Sequence, residues 1–193
     1  TLSSSSAASD VYKRQEILVR EIQEKNEVLN FISESDALTG CMNRRGFIEK
    51  TLQMNRDHEG EELLILFADL DHLKEINDSF GHIEGDFSIR HCAEVLKKVV
   101  GADGIVGRIG GDEFCVVTLG NLKDGQQIIE RIREESDAFN CTSDKEYYVE
   151  LSAGCTSVIC RNGLVIADAL READRALYEV KKLRRNSVKK IRL

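Results

Sequence analysis

The apolar pattern of the chain predicts an α+β domain, a mixed and largely antiparallel sheet flanked by helices on a ferredoxin-like plan. Leu63-Leu64-Ile65-Leu66-Phe67-Ala68 is continuously apolar, as in a strand buried on both faces. Gly104–Ile109 and Phe114–Leu119 are β-prone runs joined through Gly110-Gly111. That reads as a hairpin, because glycine accepts the positive φ of tight turns. Segments of helical spacing separate these strands.

Taken in order, Thr1 to about Gln15 is Ser/Ala-rich without periodicity and is read as a disordered or artefactual tail. Glu16 to Ser35 reads as a helix. Leu18, Ile22, Leu29 and Ile32 fall at 4-7-3 spacing, the a/d seam of a coiled coil. Such a helix either dimerises and relays a signal or packs singly on its own domain. The globular domain runs from Asp36 to Leu193. A helix is expected over Arg44–Met54, then the buried strand, ending in Asp69-Leu70-Asp71. A short helix over Leu73–Ser79 should stop at Gly81. A longer one follows over Asp86–Val100, then the hairpin. Asp124–Phe139 reads as a helix, Tyr147–Ile159 as a strand and Ile166–Arg184 as the last helix.

The chain has 193 residues, 41% of them hydrophobic, and a net charge of −7. It has the length of one domain plus an extension. Its acidic balance offers no field to recruit nucleic acid or anionic membrane. No stretch approaches the roughly 18 apolar residues of a membrane span. The first residue is Thr and no secretory signal is visible, so the sequence reads as a fragment. Six cysteines occur without a CxxC pair. They read as reduced, small apolar residues of a cytoplasmic protein.

Three constellations carry candidate chemistry. Asp69 and Asp71 close the buried strand and share one of its faces. A carboxylate there is costly unless paired or metal-bound, although Asp71 also suits a helix N-cap. If the hairpin pairs beside this strand, Asp69 meets Asp112 and Glu113, a hard-oxygen set suited to Mg²⁺. A solvated acidic turn is the plainer reading. Asn77 to Asp86 is polar and lies between two helices. Asn77 and Asp86 offer the donors and acceptors to read a guanine edge, or they cap an ordinary turn, and His82 alone suits a structural hydrogen bond. Lys181 and Arg185 share a helix face and suit a triphosphate, or belong to a solvated basic tail.

These residues also compose a recognisable order. Asp36 to Arg45 resembles a DxLTGLxNRR motif, with Cys41 where Leu is usual. Phe67-Ala68-Asp69-Leu70-Asp71 is similar to a first metal strand, and Asn77–Asp86 matches NDxxGHxxGD. Arg108 to Phe114 holds Gly110-Gly111-Asp112-Glu113-Phe114. Ala176 to Asn186 is similar to AxYxAKxxGRN, with Val180 and Arg184 as departures. From Asp36 to about Val188 the chain resembles the GGDEF family of diguanylate cyclases.

The resemblance implies a palm-like, nucleotidyl-cyclase type fold. It also implies condensation of two GTP into cyclic di-GMP and two pyrophosphates across a homodimer. It implies Mg²⁺ or Mn²⁺, in a two-metal site, held by Asp69, the Leu70 carbonyl, Asp112 and Glu113. Asp112 and Glu113 become the catalytic candidates. Asn77 and Asp86 would read guanine with His82 nearby. Gly110 and Gly111 would make room for the nucleotide. Amides around His72–Lys74 would meet phosphates with Lys181 and Arg185. An unknown N-terminal sensor domain is expected in the parent protein, whose membrane anchoring stays open. The family's RxxD product-inhibition motif falls on Gly101-Ala102-Asp103-Gly104, so that feedback is expected to be missing. The alternative is a non-catalytic module that binds GTP or cyclic di-GMP. Synthesis of another cyclic dinucleotide is a third reading, which Asn77 and Asp86 disfavour.

Overall fold

The computed structural model describes residues 17–20 and 34–191, with side chains described through residue 183. The expected tail lies outside the described residues. So does most of the expected 16–35 helix, of which residues 17–20 are helical.

Five strands and five helices follow in the domain: β1 (Met42–Asn43), α1 (Arg44–Asp57), β2 (Glu62–Leu70), α2 (Leu73–Phe80), α3 (His82–Val100), β3 (Ile105–Arg108), β4 (Glu113–Leu119), α4 (Leu122–Thr142), β5 (Leu151–Ile159) and α5 (Ile166–Ile191). They form one mixed sheet of order β1-β3-β4-β2-β5. The β1–β3 pair is parallel and the other pairs are antiparallel. The expected α+β plan is observed.

The apolar run of β2 explains the layering, because alternate side chains serve opposite faces. Leu64, Leu66, Ala68 and Leu70 pack with Ile89, Cys92 and Leu96 of α3 and Ile132 of α4. Leu63 and Ile65 pack with Phe47 of α1 and Ala169 and Ala173 of α5. Cys41, Cys92, Cys115 and Cys160 are buried, Cys155 is partly so, Cys141 is exposed, and all six are free thiols. Burial raises the Cys92 and Cys115 pKa values far above the ordinary thiol range. Among the described residues no helix is long and apolar enough to cross a membrane.

Three details correct the expectations. The stretch Asn77–Asp86 is not a loop between helices. It is the end of α2 and the start of α3, with Gly81 alone between them at φ 88°. β5 begins at Leu151 rather than Tyr147, because residues just before it are engaged elsewhere. The Asn140 side chain takes both the amide and the carbonyl of Val149, at 2.9 and 3.0 Å. Neither Gly110 nor Gly111 has a positive φ, so their lack of a side chain serves space rather than backbone handedness.

Candidate active site

The carboxyl end of β2 lies beside the turn that joins β3 to β4. Asp69 is the register partner of Glu113 across β2 and β4, and directly opposed residues project to the same face. That face is the one α5 covers. The Leu70 amide donates to the Asp112 carbonyl at 3.0 Å, tying the strand end to the hairpin turn. Burial, with Asp112 and Asp71 beside it, raises the Asp69 carboxyl above its usual range, and Lys181 only partly offsets this. Burial first, then Asp112, Asp69 and Asp174, raises Glu113, against the pull of Arg44. Glu113 lies over Gly110, where a Cβ would stand 2.3 Å from its Oε2. A Cβ on Gly111 would meet nothing within 4 Å, leaving open space beside the acids.

The Lys181 ammonium bonds the Asp69 carboxylate and stands 3.6 Å from Asp71 Oδ1. Its place follows from Gly154 on β5, where a Cβ would sit 2.1 Å from the Leu177 amide nitrogen. The missing side chain lets α5 lie directly on the sheet, and Lys181 comes one turn later. Asp71 does not cap α2. It accepts from Ser152 Oγ at 2.6 Å, while His72 occupies the N-cap with no side-chain cap bond. His72 has φ 61°, left-handed backbone that non-glycine residues adopt uncommonly. It turns the chain from β2 into α2, whose first amides lack intrahelical partners.

On the helical side, Asn77 of α2 packs against α3. A Cβ on Gly85 would come within 2.0 Å of Asn77 Oδ1, so only glycine admits the Asn77 amide beside Asp86. Asp86 and His82 are exposed and lie one turn apart on α3. The fold thus gathers Asp69, Leu70, Asp112, Glu113, Gly110, Gly111 and Lys181 at the carboxyl end of β2, with Asn77, His82 and Asp86 on α2 and α3. The Arg185 backbone belongs to α5, and its side chain lies outside the described ones.

Sequence reasoning named Asp36 and Arg108 only as parts of motifs. Arg108 donates to the Gly111 carbonyl from Nε at 3.1 Å and from a terminal nitrogen at 2.7 Å, and to Asp36 Oδ1 at 3.2 Å. Burial opposes ionisation of Asp36, but hydrogen bonds from Thr39 and Arg108 outweigh it and hold the carboxyl below its usual range. The available signal was an arginine three residues before a turn carbonyl. Its partner across 72 positions had none.

Among the described residues, no three His, Cys, Asp or Glu side chains converge into a ready-made metal cage. The donors are nonetheless hard oxygens suited to Mg²⁺, and a cationic ammonium already rests on Asp69 and Asp71. The residues fit a divalent cation.

The sequence profile of the family described as diguanylate cyclase, GGDEF domain, matches residues 33–187. The diguanylate cyclase DgcP of Escherichia coli K12 is 38% identical over 176 residues, 89% of this chain and 51% of that protein. The cyclic di-GMP phosphodiesterase NbdA of Pseudomonas aeruginosa is 29% identical over 177 residues, 90% of this chain and 22% of that protein. The coiled coil and GGDEF domain of DgcB from Caulobacter crescentus, solved in complex with c-di-GMP, is similar with a TM-score of 0.76 at 25% identity. That likeness covers 87% of this chain and 91% of that one. The chain spans about half or less of the length of the curated relatives it matches. The order of motifs, the pairing of Asp69 with Glu113 and these likenesses agree: the chain belongs to the GGDEF, diguanylate cyclase domain family.

Proposed function

We propose that this domain is an active, cytoplasmic diguanylate cyclase that joins two GTP into cyclic di-GMP and releases two pyrophosphates as a homodimer. The observation that carries the reading is the register of Asp69 against Glu113, beside the open space at Gly111. Every carboxylate the chemistry needs is retained there.

Asn77 and Asp86 read the guanine edge, with His82 at its rim. The amides of His72–Lys74 take phosphate oxygens, as free helix amides do, together with Lys181 and Arg185. Lys181 exchanges Asp69 for a phosphate when the nucleotide enters. Asp69, the Leu70 carbonyl, Asp112 and Glu113 would hold Mg²⁺ or Mn²⁺. A divalent cation held there would neutralise phosphate charge and acidify the attacking hydroxyl. The 3′-oxygen of one GTP bonds the α-phosphorus of the other as the bond to the leaving pyrophosphate breaks. The hydroxyl proton passes to Glu113 or Asp112. A second, equivalent step closes the ring.

The reacting atoms must come within about 3–3.5 Å, so the approach of two domains gates the reaction. The 16–35 helix, joined to an upstream sensor, is suited to control it. On this reading product inhibition of the RxxD form is missing, because Gly101 and Gly104 stand where that motif has its arginine and aspartate.

Incubation with GTP and Mg²⁺ tests the reading: cyclic di-GMP is expected by chromatography. No product from a demonstrated dimer would leave the non-catalytic binding module, which the likeness to a relative named as a phosphodiesterase keeps in view.

A further inference from the structure

Behind α2, on the side away from Asn77, lies a cavity of about 310 Å³. Three rings, Phe80, Tyr147 and Tyr148, and two carboxylates, Glu75 and Glu150, line it. Phe80 and Tyr147 form a corner, with ring centroids 5.0 Å apart and planes at 43°. Tyr148 is 70% exposed, a costly display for a large aromatic side chain. Among the described residues no Lys or Arg lines the cavity. His72 does, with Nδ1 3.6 Å from Glu75 Oε1. A hydrogen bond from its own backbone amide, then His72 and the charge of Lys74, hold the Glu75 carboxyl below its usual range, so it is anionic near neutrality.

Another cavity, of about 450 Å³, differs in kind. It sets Arg44 and Arg171 against Glu113 and Asp174, so its charges balance within the fold. The cavity behind α2 sets two carboxylates and three aromatic faces around one space, and its nearest ammonium groups, Lys74 beside Glu75 and Lys145 on Glu84, stand outside its lining. Aromatic faces attract cations within about 6 Å of the ring centre, more strongly where a carboxylate adds its field. The loop before β5 already uses this attraction once, with Lys145 Nζ 4.3 Å from the centre of the Phe87 ring. The volume sits at the small end of ligand pockets and suits a group the size of a quaternary ammonium.

We infer that this cavity is a second binding site, separate from the proposed nucleotide site, for a small organic cation of the alkylammonium class. Its walls are joined to that site. Asn77 lies on the opposite flank of α2, and the Glu150 carbonyl accepts the Asp71 amide at 2.9 Å. A ligand here grips the back of the helix that carries Asn77 and the strand end that holds Asp71.

Choline is the probe, with 3,3-dimethylbutan-1-ol as its uncharged isostere and sodium chloride matching the ionic strength. Both are titrated into the full chain, without nucleotide, while amide resonances are followed by NMR. Saturable shifts are expected at Glu75, Phe80, Tyr148 and Glu150. The isostere should bind about tenfold more weakly, as should choline to Tyr148→Ala, the scale of one lost cation–π contact. The pair Glu75→Gln and Glu150→Gln should weaken choline further and leave the isostere unchanged. Tyr148 and both glutamates are exposed, so each variant keeps its fold, which the spectrum itself reports. Shifts that never saturate, equal binding of the isostere, or choline affinity unchanged in Tyr148→Ala would overturn the inference. Because no nucleotide is present, none of these outcomes depends on cyclase activity.

Discussion

On the strand side of the site, Asp69 and Glu113 face each other across β2 and β4 with Asp112 nearby; burial first, then neighbouring carboxylates, push both carboxyls up, Asp112 and Asp71 acting on Asp69, and Asp112, Asp69 and Asp174 on Glu113. On the helix side, Asn77 fills the space that Gly85 leaves empty. One side stores unbalanced charge, relieved in part by Lys181. The other stores shape. The difference teaches that the two halves answer to different perturbations: charge, pH and cations act on the first, and a single methyl group on the second.

Breaking the charged side should have the largest effect. Glu113→Gln is expected to lower turnover by at least about 10²-fold, as when a transition-state electrostatic contact is lost. Chromatographic assay of cyclic di-GMP checks this. The same variant should melt no lower than wild type without ligand, because it removes a repelled carboxylate; a clear drop in Tm would show that Glu113 is held by contacts rather than merely tolerated.

Gly85→Ala addresses the shape side. The new Cβ displaces the Asn77 amide, the end of a movable side chain, so the fold persists and recognition suffers. KM for GTP should rise about tenfold, roughly the value of one hydrogen bond to a polar edge. Discrimination against ATP should weaken with it. Steady-state kinetics with both nucleotides would refute the role of Asn77 if KM were unchanged.

Arg108→Ala cuts the tie between the two sides of the hairpin turn. It leaves Asp36 and the Gly111 carbonyl without their shared donor and should cost about 1.5–3 kcal/mol of stability, read as a lowered urea midpoint. An unchanged midpoint would mean that solvent replaces the guanidinium fully.

The smallest effect is a change with pH. Asp69 and Glu113 titrate above the ordinary carboxylate range, so across that window the folded chain binds more protons than the unfolded one. Stability from these groups therefore falls as pH rises through it. The advantage of Glu113→Gln over wild type should be greatest near pH 7 and shrink toward pH 4, where the carboxyl is protonated anyway. Asp36 works in the opposite sense: its contribution is present above the ordinary carboxylate range and is lost in acid. Urea titrations at several pH values separate the two, and a gap that widened in acid would contradict the raised Glu113.

Much of this was legible because it is local. The apolar run of β2 named its own burial, Gly81 marked the end of α2, and Asp69 stood out as a carboxylate at the end of a buried strand. The misjudged boundaries have local causes of another kind. Polar residues at the start of α3 look like a loop in composition, and they are an exposed helical turn. Tyr147 and Val149 alternate like a strand, but the Tyr147 hydroxyl bonds Glu84 at 2.5 Å and the backbone of Val149 is taken by Asn140. What the sequence could not convey was partnership across distance. Lys181 reads as a phosphate ligand, and across 112 positions it finds Asp69. Arg108 and Asp36 lie in separate motifs and meet only through the parallel pairing of β1 with β3.

The distribution of the thiols has a practical consequence. With four cysteines buried and Cys155 half-covered, a bulky maleimide probe reaches Cys141 in the last turn of α4 far more readily than any other sulfur. The natural chain thus carries its own labelling handle. One spin label per chain would turn any pairing of two copies into a measurable distance between probes, and a change of that distance on adding nucleotide would report how the pair closes.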